Sequence, residues 1–168
     1  MRAGSCGLRG LTGHQAGRWL LEQLYRAETG LPLPPIRLTE RGKPYFEDSP
    51  YHFSITHTDR HAFCVLSRAP VGIDAEELDR PVRFSLAERI FSPAEQLRFA
   101  AAINPQEAFL ALWVLKEAAA KCSGLGLTGF PNRTDFSPED PRVRQWAGCL
   151  VAIITQNGTD EKVIYHDF

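Results

Sequence analysis

Long apolar runs are missing from this chain of 168 residues, and so is any excess of charge of one sign. The longest apolar stretches, such as Cys149 to Thr155, fall far short of the roughly 20 residues a membrane-spanning helix needs. Met1 to Leu11 holds no continuous apolar segment of the kind a secretory signal carries. Lys plus Arg number 19 against 20 for Asp plus Glu, a net charge of -1. That balance argues against a nucleic-acid surface and against a polybasic membrane anchor. Cysteine is scarce and scattered. Cys6, Cys64, Cys122 and Cys149 form no Cys-x-x-Cys pair, which speaks against a zinc site or disulfide framework and points to the cytoplasm. A Gly-rich phosphate loop of the Walker type, low-complexity tracts and a clear internal sequence repeat are also missing.

What is there is a series of strand and helix signals in a chain large enough to bury a core. Residues 14–29 carry Ala16, Trp19, Leu20, Leu24 and Ala27 at helical spacing, with Gly30 as a stop. The run Leu31-Pro32-Leu33-Pro34-Pro35 must be extended. A short strand is expected at Ile36 to Leu38, a turn at Arg41-Gly42-Lys43-Pro44 and a strand over Phe53 to Thr56. Ala62 to Leu66 and Val71 to Ala75 read as neighbouring strands joined through Ala69-Pro70. Ser92-Pro93-Ala94-Glu95 and Asn104-Pro105-Gln106-Glu107 both read as helix starts. The tail reads as a hairpin, Leu150 to Thr155 and Lys162 to Tyr165 about an Asn157-Gly158 turn. A soft boundary falls at Ser67 to Pro70, which gives units of 1–70 and 71–168.

Two acidic motifs carry the chemistry. In Gly72-Ile73-Asp74-Ala75-Glu76 the carboxylates alternate along a strand and so share one face. In Trp113-Val114-Leu115-Lys116-Glu117-Ala118-Ala119-Ala120-Lys121, Glu117 and Lys121 stand one helical turn apart. Helix packed on strand would bring three carboxylates together beside a lysine. Oxygen donors of that kind suit Mg²⁺, which fills its remaining positions with water and substrate phosphates. Each piece also has a plainer reading: Asp74 and Glu76 as solvent-facing strand residues, Glu117 and Lys121 as a surface pair, Glu95 as a capping residue and Trp113 as core. His14, His52, His61 and His166 share no ligand-like spacing and read as surface.

Three more segments stand in order with these motifs: Arg41-Gly42-Lys43-Pro44-Tyr45, Phe53-Ser54-Ile55-Thr56-His57-Thr58 and Ile90-Phe91-Ser92-Pro93-Ala94-Glu95. Together the five resemble the 4′-phosphopantetheinyl transferases of the longer, pseudo-dimeric type, from about Arg9 to the end of the chain. The resemblance implies that family's α+β fold, two pseudo-twofold-related halves with the site in the cleft between them, and one site per chain in a monomer. It implies transfer of the phosphopantetheine arm of coenzyme A to a serine of an apo acyl or peptidyl carrier protein, with Mg²⁺, releasing adenosine 3′,5′-bisphosphate. Carried over by position, Asp74, Glu76 and Glu117 would hold the metal, Glu117 would take the serine proton, and Lys121 would contact the pyrophosphate. Lys43, Thr56 and His57, with Arg9, would contact coenzyme A. The chain departs from the family pattern in three places. The first helix begins almost at once, where relatives carry a further strand and loop; Phe53 to Thr58 lacks the family's asparagine; and Ala75 replaces a larger residue. The shortened first half motivates the rival reading, a non-catalytic relative that binds a carrier domain or coenzyme A.

Overall fold

The computed structural model describes residues 1–126, 134–156 and 162–168. Two sheets lie back to back with one long helix outside each. The first sheet has the order β4–β5–β1–β9, built from β1 (Arg2–Gly7), β4 (His52–His57), β5 (His61–Ser67) and β9 (Ile164–Asp167). Helix α1 (Gly13–Thr29) covers its outer face, and a small β2–β3 ribbon (Ile36–Leu38 with Pro44–Phe46) leads into β4. The second sheet has the order β6–β8–β7, from β6 (Val71–Glu77), β7 (Val143–Trp146) and β8 (Cys149–Thr155). Helix α4 (Pro105–Ser123) covers it, after the short helices α2 (Ala87–Ile90) and α3 (Pro93–Ala100). Among the described residues no helix is long and apolar enough to cross a membrane.

Strand alternation sorts the side chains into layers. Ala62, Cys64 and Leu66 of β5 pack with Leu20, Leu21 and Leu24 of α1. Phe63 and Val65 point the other way, against Val71, Ile73 and Val151 of the second sheet. Ala152 and Ile154 of β8 then face Leu112, Leu115 and Ala118 of α4. The buried stripe of α1 is Ala16, Leu20, Leu21, Leu24 and Tyr25, turned slightly from the expected one; Trp19 and Ala27 are exposed.

The connectivity β1–α1–β4–β5, with β5 between β4 and β1, recurs as β6–α4–β7–β8, with β8 between β7 and β6. Each half is thus strand, long helix and hairpin. The sequence shows no such repeat, because different side chains satisfy the same packing in the two halves.

The helix starts follow the sequence closely. Thr12 and Gln15 form a reciprocal capping box ahead of α1, Ser92 and Glu95 do so ahead of α3, and Asn104 caps α4. Three strand assignments differ from the sequence reading. A strand, β1, precedes α1 and pairs with β5 on one side and β9 on the other. Its residues Arg-Ala-Gly-Ser-Cys-Gly have weak β propensity and are held extended by those neighbours. Strands β5 and β6 are not hydrogen-bonded neighbours but lie in different sheets, the chain crossing over at Arg68 to Pro70. The tail is not a hairpin: β9 pairs in parallel with β1, and β8 pairs with β7 and β6. The hairpin turn is Ala147-Gly148, both at positive φ (51° and 74°), the backbone a tight two-residue β-turn requires. The expected Asn157-Gly158 turn lies outside the described residues.

Candidate active site

The position of α4 on β6 creates the site, and Gly72 permits that position. A Cβ at Gly72 would stand 2.0 Å from the Ala118 carbonyl oxygen and 2.5 Å from the Cys122 nitrogen. The helix backbone therefore rests directly on the strand, and the next residues on the same strand face, Asp74 and Glu76, come beside Glu117 and Lys121. The same device anchors the other wall. A Cβ at Gly13 would overlap the His57 ring at 2.3 to 2.6 Å, so α1 begins in contact with the end of β4.

Asp74 is 6 % exposed. Its Oδ1 accepts hydrogen bonds from Lys121 Nζ at 2.6 Å and Thr56 Oγ1 at 3.0 Å. Burial nevertheless pushes its carboxyl above the usual aspartate range, against the pull of Lys121 and Thr56. Glu76, near the end of β6, pairs with Arg80 in the turn that follows. Burial raises its carboxyl too, with Arg80 opposing and the Asp74 charge adding. Glu117 is raised by burial first and then by repulsion from Asp74, with Lys121 opposing and Glu76 adding. The three carboxylates thus feel one another electrostatically, and each retains protons more readily than an exposed acid.

A cleft of about 490 Å³ opens over this cluster. Thr56, His57, Glu117, Lys121, Lys43 and Arg41 line it. Lys43 reaches in from the β2–β3 turn and donates from Nζ to the Cys122 carbonyl at 2.6 Å, near the C-terminal end of α4. Burial lowers its affinity for its proton. A second groove, about 570 Å³, shares His57 with the cleft and is lined by Glu76, Arg80 and Arg60.

The structure thus brings together Lys43, Thr56, His57, Asp74, Glu117 and Lys121, with Glu76 at the border of the second groove. It leaves Arg9 apart. Arg9 sits at positive φ (45°) in the exposed turn before α1 and does not line the cleft. Two cleft residues lie outside the candidates that sequence offers: Arg41, which stands there only as part of its motif, and His14, whose spacing reads as surface. His14 is exposed, but it lines the cleft with its ring edge-on to His57 at 5.2 Å. Thr12 with Gln15 three residues on is the pattern that would place His14 in the first turn of α1. His61 and His166 are half-buried rather than surface residues. Glu95 keeps its capping role and gains a second one described below.

The donor set suits a hard divalent cation: carboxylate oxygens, raised by burial and mutual repulsion and so short of positive charge. As placed, no three His, Cys, Asp or Glu side chains among the described residues gather closely enough to hold a metal ion. Protein cations instead occupy two of the carboxylates, Lys121 on Asp74 and Arg80 on Glu76.

Fold and site define an α+β protein with a repeated strand–helix–hairpin unit and an acidic cluster under a basic-lined cleft. The sequence model of the 4′-phosphopantetheinyl transferase superfamily matches residues 70–160, and the chain belongs to that superfamily. The 4′-phosphopantetheinyl transferase psf-1 of Bacillus pumilus is 36 % identical over 125 residues, which is 71 % of this chain and 52 % of that protein. The 4′-phosphopantetheinyl transferase gsp of Aneurinibacillus migulanus is 37 % identical over 94 residues, 55 % of this chain and 39 % of that protein. A putative 4′-phosphopantetheinyl transferase of Haemophilus influenzae is 30 % identical over 117 residues. The chain spans about half the length of these curated relatives or less.

Proposed function

We propose that this chain transfers the 4′-phosphopantetheine arm of coenzyme A to a serine of an apo acyl or peptidyl carrier protein and releases adenosine 3′,5′-bisphosphate. The observation that carries the reading is the convergence of Lys43, His57, Glu117 and Lys121 on one cleft above Asp74. Lys43, His57 and Arg41 offer positive charge or donors to the phosphates, and Thr56 holds Asp74 in place. Lys121 meets the pyrophosphate. Glu117 accepts the proton of the attacking serine; burial and its carboxylate neighbours raise its proton affinity above that of an exposed glutamate. The serine oxygen forms the new bond to phosphorus as the bond to the adenosine bisphosphate oxygen breaks. Asp74, Glu76 and Glu117 would hold Mg²⁺, which supplies neutralisation of the charge on the leaving phosphate. Both walls of the cleft come from one chain, which suits a monomer with the site between two pseudo-twofold halves, residues 1–70 and 71–168, except that the tail strand β9 joins the sheet of the first half. Four free, buried cysteines suit the reducing cytoplasm.

The rival reading, a non-catalytic relative that only holds a carrier or coenzyme A, draws on the ungathered carboxylates. Two measurements separate the readings. Coenzyme A with Mg²⁺ should raise the melting temperature where ATP does not. Release of adenosine 3′,5′-bisphosphate should then require an apo carrier. Stabilisation by coenzyme A without any release would favour the rival.

A further inference from the structure

We infer that Lys43 is a positioning residue: by tying the turn of the β2–β3 ribbon to the end of α4, it holds Arg41, Gly42 and Pro44 in place as a preformed wall of the cleft. The inference rests on the reading of that cleft as the coenzyme A site only where binding is measured; the tether itself is a property of the free protein. The ribbon is weak on its own. It has two strands joined by three residue pairs and no hydrogen-bonded neighbour in either larger sheet, and an isolated two-stranded ribbon is marginal in water. Pro44, paired with Leu38 at the turn end, has no N–H to give to the ladder. The root is secured, because buried Phe46 packs on Tyr25 and Phe53 with ring centroids 5.1 and 4.5 Å away. The turn has no such anchor. Its bonds from Gly42 N to Thr39 O, Thr39 N to Lys43 O and Lys43 N to Thr39 Oγ1 all close within it. Among the described residues, the only hydrogen bond from residues 39–43 to anything outside the ribbon is the 2.6 Å bond from Lys43 Nζ to the Cys122 carbonyl.

The acceptor is suited to that bond. Helix α4 ends at Ser123, so the Cys122 carbonyl is one of the last four and has no partner inside the helix. A cation there also meets the negative end of the helix dipole. Gly124 makes the room. A Cβ on it would stand 3.1 Å from Lys43 Cδ, so the lysine stem crosses the bare face of that glycine. The tie spans the cleft, since the ribbon leads into the first sheet while α4 carries Glu117 and Lys121. Without it the wall is formed only part of the time, and affinity for a ligand that needs the wall falls by that fraction. Glu117 does not move with the ribbon, so the chemical step is left alone.

The test has two arms, on proteins whose folding is checked by thermal melting. In the free protein, the rate of trypsin cleavage after Arg41, read by mass spectrometry, reports release of the turn, because a protease cuts the opened segment. Trypsin does not cut between Lys43 and Pro44, so replacing Lys43 neither adds nor removes a site. Cleavage after Arg9, in the exposed turn before α1, is the internal reference. Lys43→Met should speed the cut after Arg41 about tenfold, the factor a hydrogen bond from a charged group is worth. Lys43→Arg, which keeps a charged donor, should restore most of the protection. Gly124→Ala is a second route: it keeps Lys43 but puts a methyl where the lysine stem lies, and should also speed the cut. In calorimetry, coenzyme A should bind about tenfold more weakly to both Lys43→Met and Gly124→Ala. In carrier modification, KM for coenzyme A should rise while kcat stays near wild type. An unchanged cut after Arg41 in both variants overturns the tether. A faster cut with unchanged coenzyme A affinity in Gly124→Ala overturns the positioning role. A wild type that binds no coenzyme A overturns the reading of the cleft instead, and the trypsin arm then decides the tether by itself.

Discussion

Helix α4 carries two lysines five residues apart in sequence, and each meets a buried carboxylate in a different way. Lys116 is 3 % exposed and bonds Glu95, 0 % exposed, at 2.8 Å. Glu95 also accepts hydrogen bonds from the backbone nitrogens of Ser92 at 2.8 Å and Phe136 at 2.9 Å. Every approach to that carboxylate is filled by protein, and it ties α3, α4 and the segment before β7 together. Lys121 and Asp74 form the open counterpart. Lys121 faces a cleft, and burial still holds Asp74 above its usual range despite two donors. The first cluster is complete and structural; the second lacks positive charge and has space above it. The difference teaches which buried ion pair to read as architecture and which as a site.

The largest effects should come from the open cluster. Glu117→Gln should lower carrier modification by about 10²- to 10⁴-fold, the usual contribution of a positioned base, while coenzyme A binding by calorimetry stays near wild type. Near-normal turnover would remove Glu117 from the role of base. The closed cluster should answer in stability instead. Lys116→Ala strands a fully buried carboxylate and should cost about 3–5 kcal/mol in urea unfolding. Lys121→Ala should cost clearly less and show itself mainly as weaker coenzyme A binding. Equal stability losses would collapse the distinction.

Gly72→Ala tests the geometry that both clusters share. Its methyl would meet the Ala118 carbonyl, so α4 must shift; a loss of about 1–3 kcal/mol is expected, with a larger fall in activity than that stability change explains. The smallest effect is in pH. Asp74 holds its proton more tightly folded than unfolded, so its charge costs stability most at pH values above its raised folded range. That cost is relieved as pH falls towards the usual aspartate range near about 4. The melting-temperature advantage of Asp74→Asn over wild type should therefore be widest near neutrality and narrow on acidification. Reading the difference cancels acids such as Glu77, which Arg60 shifts the opposite way. An advantage that grew on acidification would contradict the assigned direction.

What the sequence made legible was local or carried by a spaced motif. The caps at Ser92 and Asn104 place two helices because the capping residue and its backbone partner lie within one turn. Asp74 and Glu76 could be placed on one face, and Glu117 with Lys121 on another, by periodicity alone. Non-local pairing stayed hidden. Strand β1 is extended because β5 and β9 flank it, and β9 is held on β1 by contacts such as Ser5 with Asp167. Pattern within a segment does not reveal such partners. The Lys116–Glu95 pair was hidden for the same reason: the capping box already accounted for Glu95, and nothing in the spacing joins it to a lysine on the next helix. His14 shows the limit from the other side. It is an exposed residue by pattern, and only the meeting of α1 with β4 makes it part of a cleft.

The most direct test is intact-mass spectrometry of a panel of apo carrier proteins incubated with this chain, coenzyme A and Mg²⁺. The account predicts a gain equal to one phosphopantetheine arm on at least one carrier, abolished by EDTA and by Glu117→Gln. Carriers that stay unmodified throughout, while the protein binds coenzyme A measurably, would contradict it.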